Sequence, residues 1–151
     1  MPLTIYPFDA SRAPAVGAFN RRLAAAGSHW RFPEHPEPSW LARESGSPVF
    51  QEFFVAADGD VVRGAYALQH RPAAIGGEVQ PIGTWYLPIS EGAIDPRYAL
   101  VAMQLARDAL RRAPLSFLLG MGGMSSPLAR LVARFGCEPR LVPFFVRIQN
   151  A

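Results

Sequence analysis

The stretch Phe53-Phe-Val-Ala-Ala-Asp-Gly-Asp-Val-Val-Arg-Gly-Ala-Tyr-Ala-Leu68 decides the fold. Two apolar runs flank an Asp-Gly pair, which is a strong signal for a β-hairpin. A second turn is predicted at Gly76-Gly77, because another strand pattern follows from Val79 to Ile89. The middle of the chain is therefore predicted to be a meander of antiparallel strands.

Helices are predicted on both sides of this meander in the sequence. Before it, Val16, Phe19 and Leu23 recur at helical spacing and predict a helix with one apolar face. After it, Asp95 is the predicted N-cap of a longer helix over residues 96–112, with proline in its first position.

The ends of the chain complete the predicted order β-α-loop-β-β-β-α-β-α-β. Leu3–Phe8 reads as a first strand, and the uninterrupted apolar run Leu115–Leu119 reads as a strand buried on both faces. Gly120-Met-Gly-Gly-Met124 is predicted to be a loop before a short helix. Leu141–Ile148 is predicted to be the last strand.

Residues 28–50 form a long segment rich in proline and aromatic residues, and long ordered loops are often functional. A short helix is predicted over Trp40–Glu44. Trp30, Phe32 and Trp40 are expected to belong either to a lid that covers the sheet and fills gaps in the core or to the wall of an acceptor or acyl pocket. Trp30 and Trp40 are expected to bury most of their side chains.

The composition excludes several classes of protein. With 151 residues, 50% of them hydrophobic, the chain is predicted to be one folded domain over residues 1–151 rather than a disordered segment. No stretch reads as a membrane span. All 15 basic residues are arginine, the net charge is only +3, and no basic stripe indicates a nucleic-acid partner. The single cysteine, Cys137, fits a reducing compartment, so a cytoplasmic location is expected.

The order of elements resembles that of the GNAT acyltransferase superfamily, as does the end pattern, in which Phe135-Gly136-Cys137 precedes a final strand. The resemblance implies an α/β fold with a mixed, mostly antiparallel sheet and helices on both faces. It also implies transfer of an acyl group from acetyl-CoA or another acyl-CoA to a small-molecule amine.

The family's coenzyme A loop, Q/R-x-x-G-x-G/A, falls over Ile94-Asp-Pro-Arg-Tyr-Ala99, where only Ala99 matches. Arg97 stands at the first glycine position, where it either contacts phosphate or blocks the site. A closer similarity is to bacterial GNAT-like proteins that carry the patterns Leu87-Pro-Ile-Ser-Glu-Gly92 and Gly120-Met-Gly-Gly123. The residues that the resemblance assigns to coenzyme A are Leu87 and Ile89 for the pantetheine arm, Ser90, Glu91, Gly92 and Arg97 for the pyrophosphate, and Ser125 in the second motif.

The tyrosine that often protonates the departing thiolate in this family falls at Val132, so the usual general acid is missing. Tyr86 and Glu91 flank the strand end at which acyl transfer would occur, and they are the catalytic candidates. Glu52 and Glu78, on neighbouring strands, are further candidate bases.

Three histidines match no metal-site spacing, so no metal is expected; His29 and His35 are six residues apart in the proline-rich loop. His70 is expected on an exposed strand face. Two other functions stay open beside acyl transfer from coenzyme A. One is a catalytically silent binding or interaction domain, and the other is an acyltransferase that uses an acidic acyl carrier protein. A homodimer also stays open.

Overall fold

The computed structural model describes residues 3–118, 123–138 and 140. The chain divides into two compact units between residues 119 and 120, and each unit is described here by itself. The first unit contains the whole described sheet. The second contains one described helix, α3 (Pro127–Ala133), which the Ser126 hydroxyl caps by accepting from the Ala129 amide at 3.0 Å.

The first unit alternates strands and helices in the predicted order. Its elements are β1 (Thr4–Pro7), α1 (Ala13–Ala25), β2 (Phe50–Asp58), β3 (Val61–Ile75), β4 (Glu78–Ser90), α2 (Ala99–Arg112) and β5 (Ser116–Phe117). Short 3-10 turns cover Ala10–Arg12, Glu91–Ala93 and Pro96–Tyr98.

The described sheet has the strand order β1-β2-β3-β4-β5. The first three pairings are antiparallel, and β5 lies parallel to β4. The predicted mixed, mostly antiparallel sheet is confirmed, as is the parallel pairing of the strand after α2. The prediction that this strand is buried on both faces is wrong for its described part, because Ser116 and Phe117 are half-buried and Leu115 is exposed. Both predicted hairpins are present, and glycines with positive φ occupy their turns at Gly59, Gly76 and Gly77.

Helices cover both faces of this sheet, as predicted. Ala65 and Ala67 of β3 belong to a core cluster that includes Phe19 of α1. Gly64, whose position alternates with theirs, faces α2: a Cβ placed there would lie 2.7 Å from Cγ1 of Val101. The absence of a side chain at Gly64 therefore lets α2 approach the sheet closely.

The face beneath α2 contains one buried polar connection. The Tyr66 hydroxyl donates to Oδ2 of Asp108 at 2.6 Å, and Arg112 donates to the same oxygen at 2.7 Å. Burial, together with the Asp108 carboxylate, raises the pKa of Tyr66 far above its ordinary value. The phenol therefore stays protonated and anchors α2 to β3.

Three predictions at element ends need comment. The Asp95 side chain accepts from the Arg97 amide as the predicted cap, but the first turn is a 3-10 turn and the α-helix begins at Ala99. The helix predicted over Trp40–Glu44 is wrong, because that segment forms no regular element. The predicted strand Leu141–Ile148 and most of the Gly120–Met124 loop lie outside the described residues.

No helix in the described ranges is both long enough and apolar enough to span a bilayer.

Candidate active site

A cleft of about 440 Å³ opens on the α1 face of the sheet, between the proline-rich loop and the middle strands. Its volume falls within the range of small-molecule sites. Polar, aromatic and acidic side chains line it together. The lining residues are Pro33, Glu34, His35, Glu37, Pro38, Ser39 and Trp40 from the loop, and Gln51, Phe53, Gln69, Tyr86 and Leu87 from the strands.

The cleft meets β4 at a β-bulge. Ala65 pairs with Ile89, whereas Ala67 pairs with Tyr86, so Leu87 and the proline after it oppose a single residue of β3. Leu87 has a φ of 47°, a left-handed conformation that costs a non-glycine residue about 1–2 kcal/mol. Strain of this kind collects at functional sites, and here it turns the strand at the cleft wall.

The loop wall of the cleft is fixed by Asn20, a buried polar residue of α1. Its side-chain amide donates to the Phe32 carbonyl at 2.8 Å, and its side-chain oxygen accepts from the Phe32 amide at 2.9 Å. The same amide group donates to Oε1 of Glu34 at 3.0 Å. The Asn20 side chain thus pairs with both backbone groups of Phe32, as a neighbouring strand would, and positions the Glu34 carboxylate of the cleft.

The prediction that Trp30 and Trp40 are buried is wrong, because they are 64% and 71% exposed. The aromatic anchor of the loop is Phe32 instead, which is 2% exposed and packs edge-on against Phe53 with ring centroids 5.3 Å apart. Trp40 lines the cleft, which favours the interpretation of the loop as a pocket wall over its interpretation as a lid. Trp30 does not line the cleft.

The two catalytic candidates lie in different surroundings. Tyr86 lines the cleft directly before the bulge and is 52% exposed. Glu91 is 4% exposed and does not line the cleft. Its Oε1 accepts from Arg22 Nε at 2.6 Å, and its Oε2 accepts from Arg63 Nη1 at 2.9 Å.

The ion pairs of Glu91 therefore connect three elements of the first unit, which favours a structural role over that of a base. Glu91 joins α1, through Arg22, and β3, through Arg63, to the turn that follows β4. Arg22 also donates to the Val62 carbonyl at 2.5 Å. Both carboxylate oxygens are bound to guanidinium groups, and Glu91 is not among the residues that line the cleft. These contacts favour a structural role over the predicted catalytic one.

Five backbone amides of the turn between β4 and α2 donate to acceptors within the turn. These acceptors lie between Ser90 and Asp95. The donors are the amides of Gly92, Ile94, Asp95, Arg97 and Tyr98. Ile94, where the family pattern has a polar residue, packs against the core cluster. These amides do not present the open cradle expected of a phosphate-binding loop.

Arg97 does not plug this turn, because its side chain is 81% exposed. Its guanidinium donates to Asp95, with Nη2 2.7 Å from Oδ2. This contact lowers the pKa of Asp95 and raises that of Arg97. Gly92 packs against the start of α2, since a Cβ placed there would lie 2.6 Å from the Tyr98 carbonyl oxygen.

The parallel strands β4 and β5 pair at two positions near the middle of β4. Gly83 pairs with Ser116 and Thr84 with Phe117, and these are the only pairs between the two strands within residues 3–118. β4 continues past Thr84 through Leu87 and Ile89 to Ser90. The residues predicted to hold a pantetheine arm therefore lie on the part of β4 beyond its described β5 partners. Ser125 belongs to the second unit.

The other candidate bases lie away from the cleft lining. Glu78 is exposed at the hairpin turn, where it pairs with Ile75. Glu52 alternates with the cleft residues along β2 and accepts from His70, with 2.9 Å between Oε2 and Nε2. This hydrogen bond lowers the pKa of Glu52. His70 is half-buried and stacked on Phe50 rather than exposed as predicted.

The sequence analysis expected no metal site and noted the spacing of His29 and His35. Among the residues that the structure describes, no three His, Cys, Asp or Glu side chains gather in a group that could hold a metal ion. His35 lines the cleft, whereas His29 does not.

Comparison with solved structures gives several matches over nearly the whole chain. An aminoglycoside acetyltransferase from an uncultured soil metagenomic sample, in complex with sisomicin, is 12% identical with a TM-score of 0.60, covering 97% of each chain. A ribosomal-protein-alanine N-acetyltransferase from Brucella melitensis biovar Abortus 2308 is 12% identical with a TM-score of 0.55, covering 99% of this chain and 100% of the other.

A predicted acetyltransferase from Clostridium acetobutylicum, solved with acetyl-CoA, is 13% identical with a TM-score of 0.52, covering 97% of this chain and 96% of the other. No protein-family model matches the sequence, and no curated protein matches it. At these identities the likeness shows the fold: the chain has the GNAT acyltransferase fold.

Proposed function

We propose that this protein is an N-acyltransferase that moves an acyl group from acyl-CoA to a small-molecule amine in the cleft. The observation that carries the proposal is the meeting of the cleft with the bulge of β4 at Tyr86 and Leu87. One side of this point is an open cleft lined by aromatic, apolar and polar side chains. The other side is the end of a strand whose described pairing with β5 has already stopped.

The acyl donor is proposed to lie along the end of β4. The backbone of Leu87 and Ile89 would bond the pantetheine arm in the manner of an added strand. This placement brings the thioester to the bulge, beside Tyr86. The Clostridium acetobutylicum structure with the same fold contains acetyl-CoA, which supports this class of donor.

The pyrophosphate of the donor is proposed to contact the side chain of Arg97. The amides of the turn are already bonded to acceptors within it, so a charged side chain is the group that remains to attract phosphate. Arg97 is exposed, and its guanidinium donates to Asp95. Ser90 and Gly92 support the turn, and the predicted contact of Ser125 with the acyl carrier arm stays a proposal.

The reaction is direct transfer. The amine nitrogen forms a bond to the thioester carbon, the carbon–sulfur bond breaks, and the thiolate leaves. We assign Tyr86 to protonate the sulfur, because it is the phenol that lines the cleft at the strand end. The attacking nitrogen gives up one proton, for which the His35 imidazole of the cleft is the acceptor. The products are an amide and a free thiol, and exchange with solvent then returns a proton to Tyr86 and removes one from His35, so the proton count balances.

Solved proteins of this fold support an amine acceptor. One acts on aminoglycosides and another on the alanine of a ribosomal protein, as their names state. Both acceptors are amines, although one is a small molecule and the other a protein. The volume of the cleft, about 440 Å³, is that of a small-molecule site and favours the small-molecule class.

The second candidate function is a catalytically silent domain that binds an amine. The satisfied amides of the turn after β4 favour it, because they weaken the usual hold on coenzyme A. A donor delivered by an acidic carrier protein is favoured by another feature. The exposed face of α2 combines arginine with apolar side chains, namely Leu100, Met103, Arg107 and Arg111.

Thiol release from acetyl-CoA in the presence of a panel of small amines tests the proposal. Tyr86→Phe is expected to lower kcat by roughly 10²-fold, the lower end for loss of a general acid. Tyr6→Phe is the matched control. Tyr6 lies on β1, where its ring packs against the Arg12 guanidinium, and it does not line the cleft. Failure of acetyl-CoA to bind at millimolar concentration by calorimetry would overturn the proposal and leave the silent domain or the carrier protein.

A further inference from the structure

The charge of the cleft differs in sign from that of the chain. The chain carries a net charge of +3, and its 15 basic residues are all arginine. The described residues that line the cleft include two carboxylates, Glu34 and Glu37, and no arginine. Clefts lined by one sign of charge concentrate ligands of the opposite sign. The two carboxylates of the lining therefore favour a cationic ligand.

One of these carboxylates is held in place before any ligand arrives. The buried side chain of Asn20 donates to Oε1 of Glu34 at 3.0 Å while it binds both backbone groups of Phe32. Its other oxygen, Oε2, lies beside α1, at an ordinary contact distance of 3.4 Å from the position of a Cβ on Gly17. A preorganised acceptor loses little entropy when a ligand binds.

Aromatic faces accompany the carboxylates. Trp40 and Tyr86 line the same cleft and are both more than half exposed. A cation above an aromatic ring is attracted by the electrons of the ring face, and tryptophan is the strongest such partner. Exposed tryptophan otherwise leaves apolar area in water, so a ligand that covers Trp40 accounts for its position.

We infer that the acceptor is an amine with a second positive charge, held by Glu34, Glu37 and Trp40 while its other nitrogen attacks beside Tyr86. Only the attack of the other nitrogen on the acyl donor rests on the proposed function. The binding of the second charge rests on the lining of the cleft. A diamine or a larger polyamine has the required chemistry, whereas a monoamine has no second nitrogen for the carboxylates to bind.

Calorimetry in the absence of an acyl donor tests the inference. The probes are α,ω-diaminoalkanes of four to six carbons, compared with the n-alkylamines of the same length. The expected result is that the best diamine binds at least 10-fold more tightly than its monoamine. In Glu37→Gln that ratio is expected to fall below 3-fold. Glu78→Gln, an exposed carboxylate outside the cleft lining, is the control and should retain the wild-type ratio.

Tryptophan fluorescence locates the bound diamine. The diamine is expected to change the emission of the wild type and of Trp30→Phe, but not that of Trp40→Phe. Equal affinity for diamine and monoamine in the wild type would overturn the inference. An equal loss of the ratio in Glu78→Gln, or an emission change that persists in Trp40→Phe, would overturn it as well.

Mass spectrometry of the same amines incubated with acetyl-CoA separates this inference from the proposed function. A diamine that binds selectively but is never acetylated would refute acyl transfer and leave the dication site standing. Monoamines acetylated with the same kcat/KM as diamines would support acyl transfer and overturn the dication site.

Discussion

The guanidinium of Arg97 and the carboxylate of Asp95 form a bonded pair at the start of α2, with Nη2 2.7 Å and Nε 3.0 Å from Oδ2. The Asp95 carboxylate also accepts from the Arg97 amide at 3.0 Å. A carboxylate thus occupies the helix N-terminus, a place that favours anions. Binding of a donor pyrophosphate here requires Arg97 to exchange this partner for phosphate.

The first prediction concerns this exchange. Arg97→Ala should weaken the binding of acetyl-CoA several-fold, because a charged donor to the phosphate is lost, and the loss should be smaller at high salt. Asp95→Asn should strengthen it, because the cap survives while the competing charge is removed. Titration calorimetry measures both. Unchanged affinity in both variants would place the donor away from this turn.

Gly92 provides a second prediction. A methyl group there would lie 2.6 Å from the Tyr98 carbonyl oxygen and 2.9 Å from the Ala99 Cα, both backbone atoms that yield little. Gly92→Ala should lower the free energy of unfolding by about 1–3 kcal/mol, as overpacking does. Gly17→Ala is the control, because its Cβ would make ordinary contacts, the nearest at 3.4 Å. Denaturant melts that rank the two variants equally would contradict the packing described for the turn.

Glu91 should contribute to stability rather than to chemistry. Glu91→Gln leaves two guanidinium groups, those of Arg22 and Arg63, without their carboxylate. Arg22 is partly exposed, so the expected loss is on the order of 2 kcal/mol, below the range for a fully buried pair. Thermal melts of this variant and of Glu78→Gln measure it. A variant as stable as the wild type but inactive would instead favour a direct role in the reaction.

The stability of the protein should depend on pH through Glu52. Hydrogen bonding from His70 lowers the pKa of this carboxyl in the folded state below its ordinary value of 4.5. The charged form is therefore favoured by folding, so the contribution is complete above pH 4.5 and is lost as the pH falls through the lowered pKa. Glu52→Gln should be less stable than the wild type at pH 7 by at most about 1 kcal/mol. The difference in stability should shrink in melts below pH 4.5. A difference that grows there would contradict the lowered pKa of Glu52.

The sequence predicted those features of the fold that depend on local signals. Asp58-Gly59 and Gly76-Gly77 fix their hairpins through residues that tolerate positive φ. The cap at Asp95 was predictable for the same reason, although the tighter first turn was not. Parallel pairing of β4 with β5 followed from the helix between them, since a crossover helix connects parallel strands.

The site was harder to predict, because its residues meet through the tertiary fold. Arg22 and Glu91 are 69 positions apart, and nothing local indicates their contact. Asn20 did carry a signal, as a polar residue four positions after Val16 on the apolar face of α1. Trp40 was misplaced because hydrophobicity alone predicts burial, whereas a cleft can keep an aromatic face exposed.

The binding of a conjugate that joins coenzyme A through its sulfur to a diamine tests the central claim most directly. If the end of β4 and the cleft form one site for donor and acceptor, the conjugate gains from both halves without a second loss of translational freedom. Calorimetry should then show it binding at least 100-fold more tightly than coenzyme A or the diamine alone, with Tyr86→Ala and Glu37→Gln each weakening it. A conjugate that binds no more tightly than coenzyme A itself would contradict the claim that donor and acceptor meet at Tyr86.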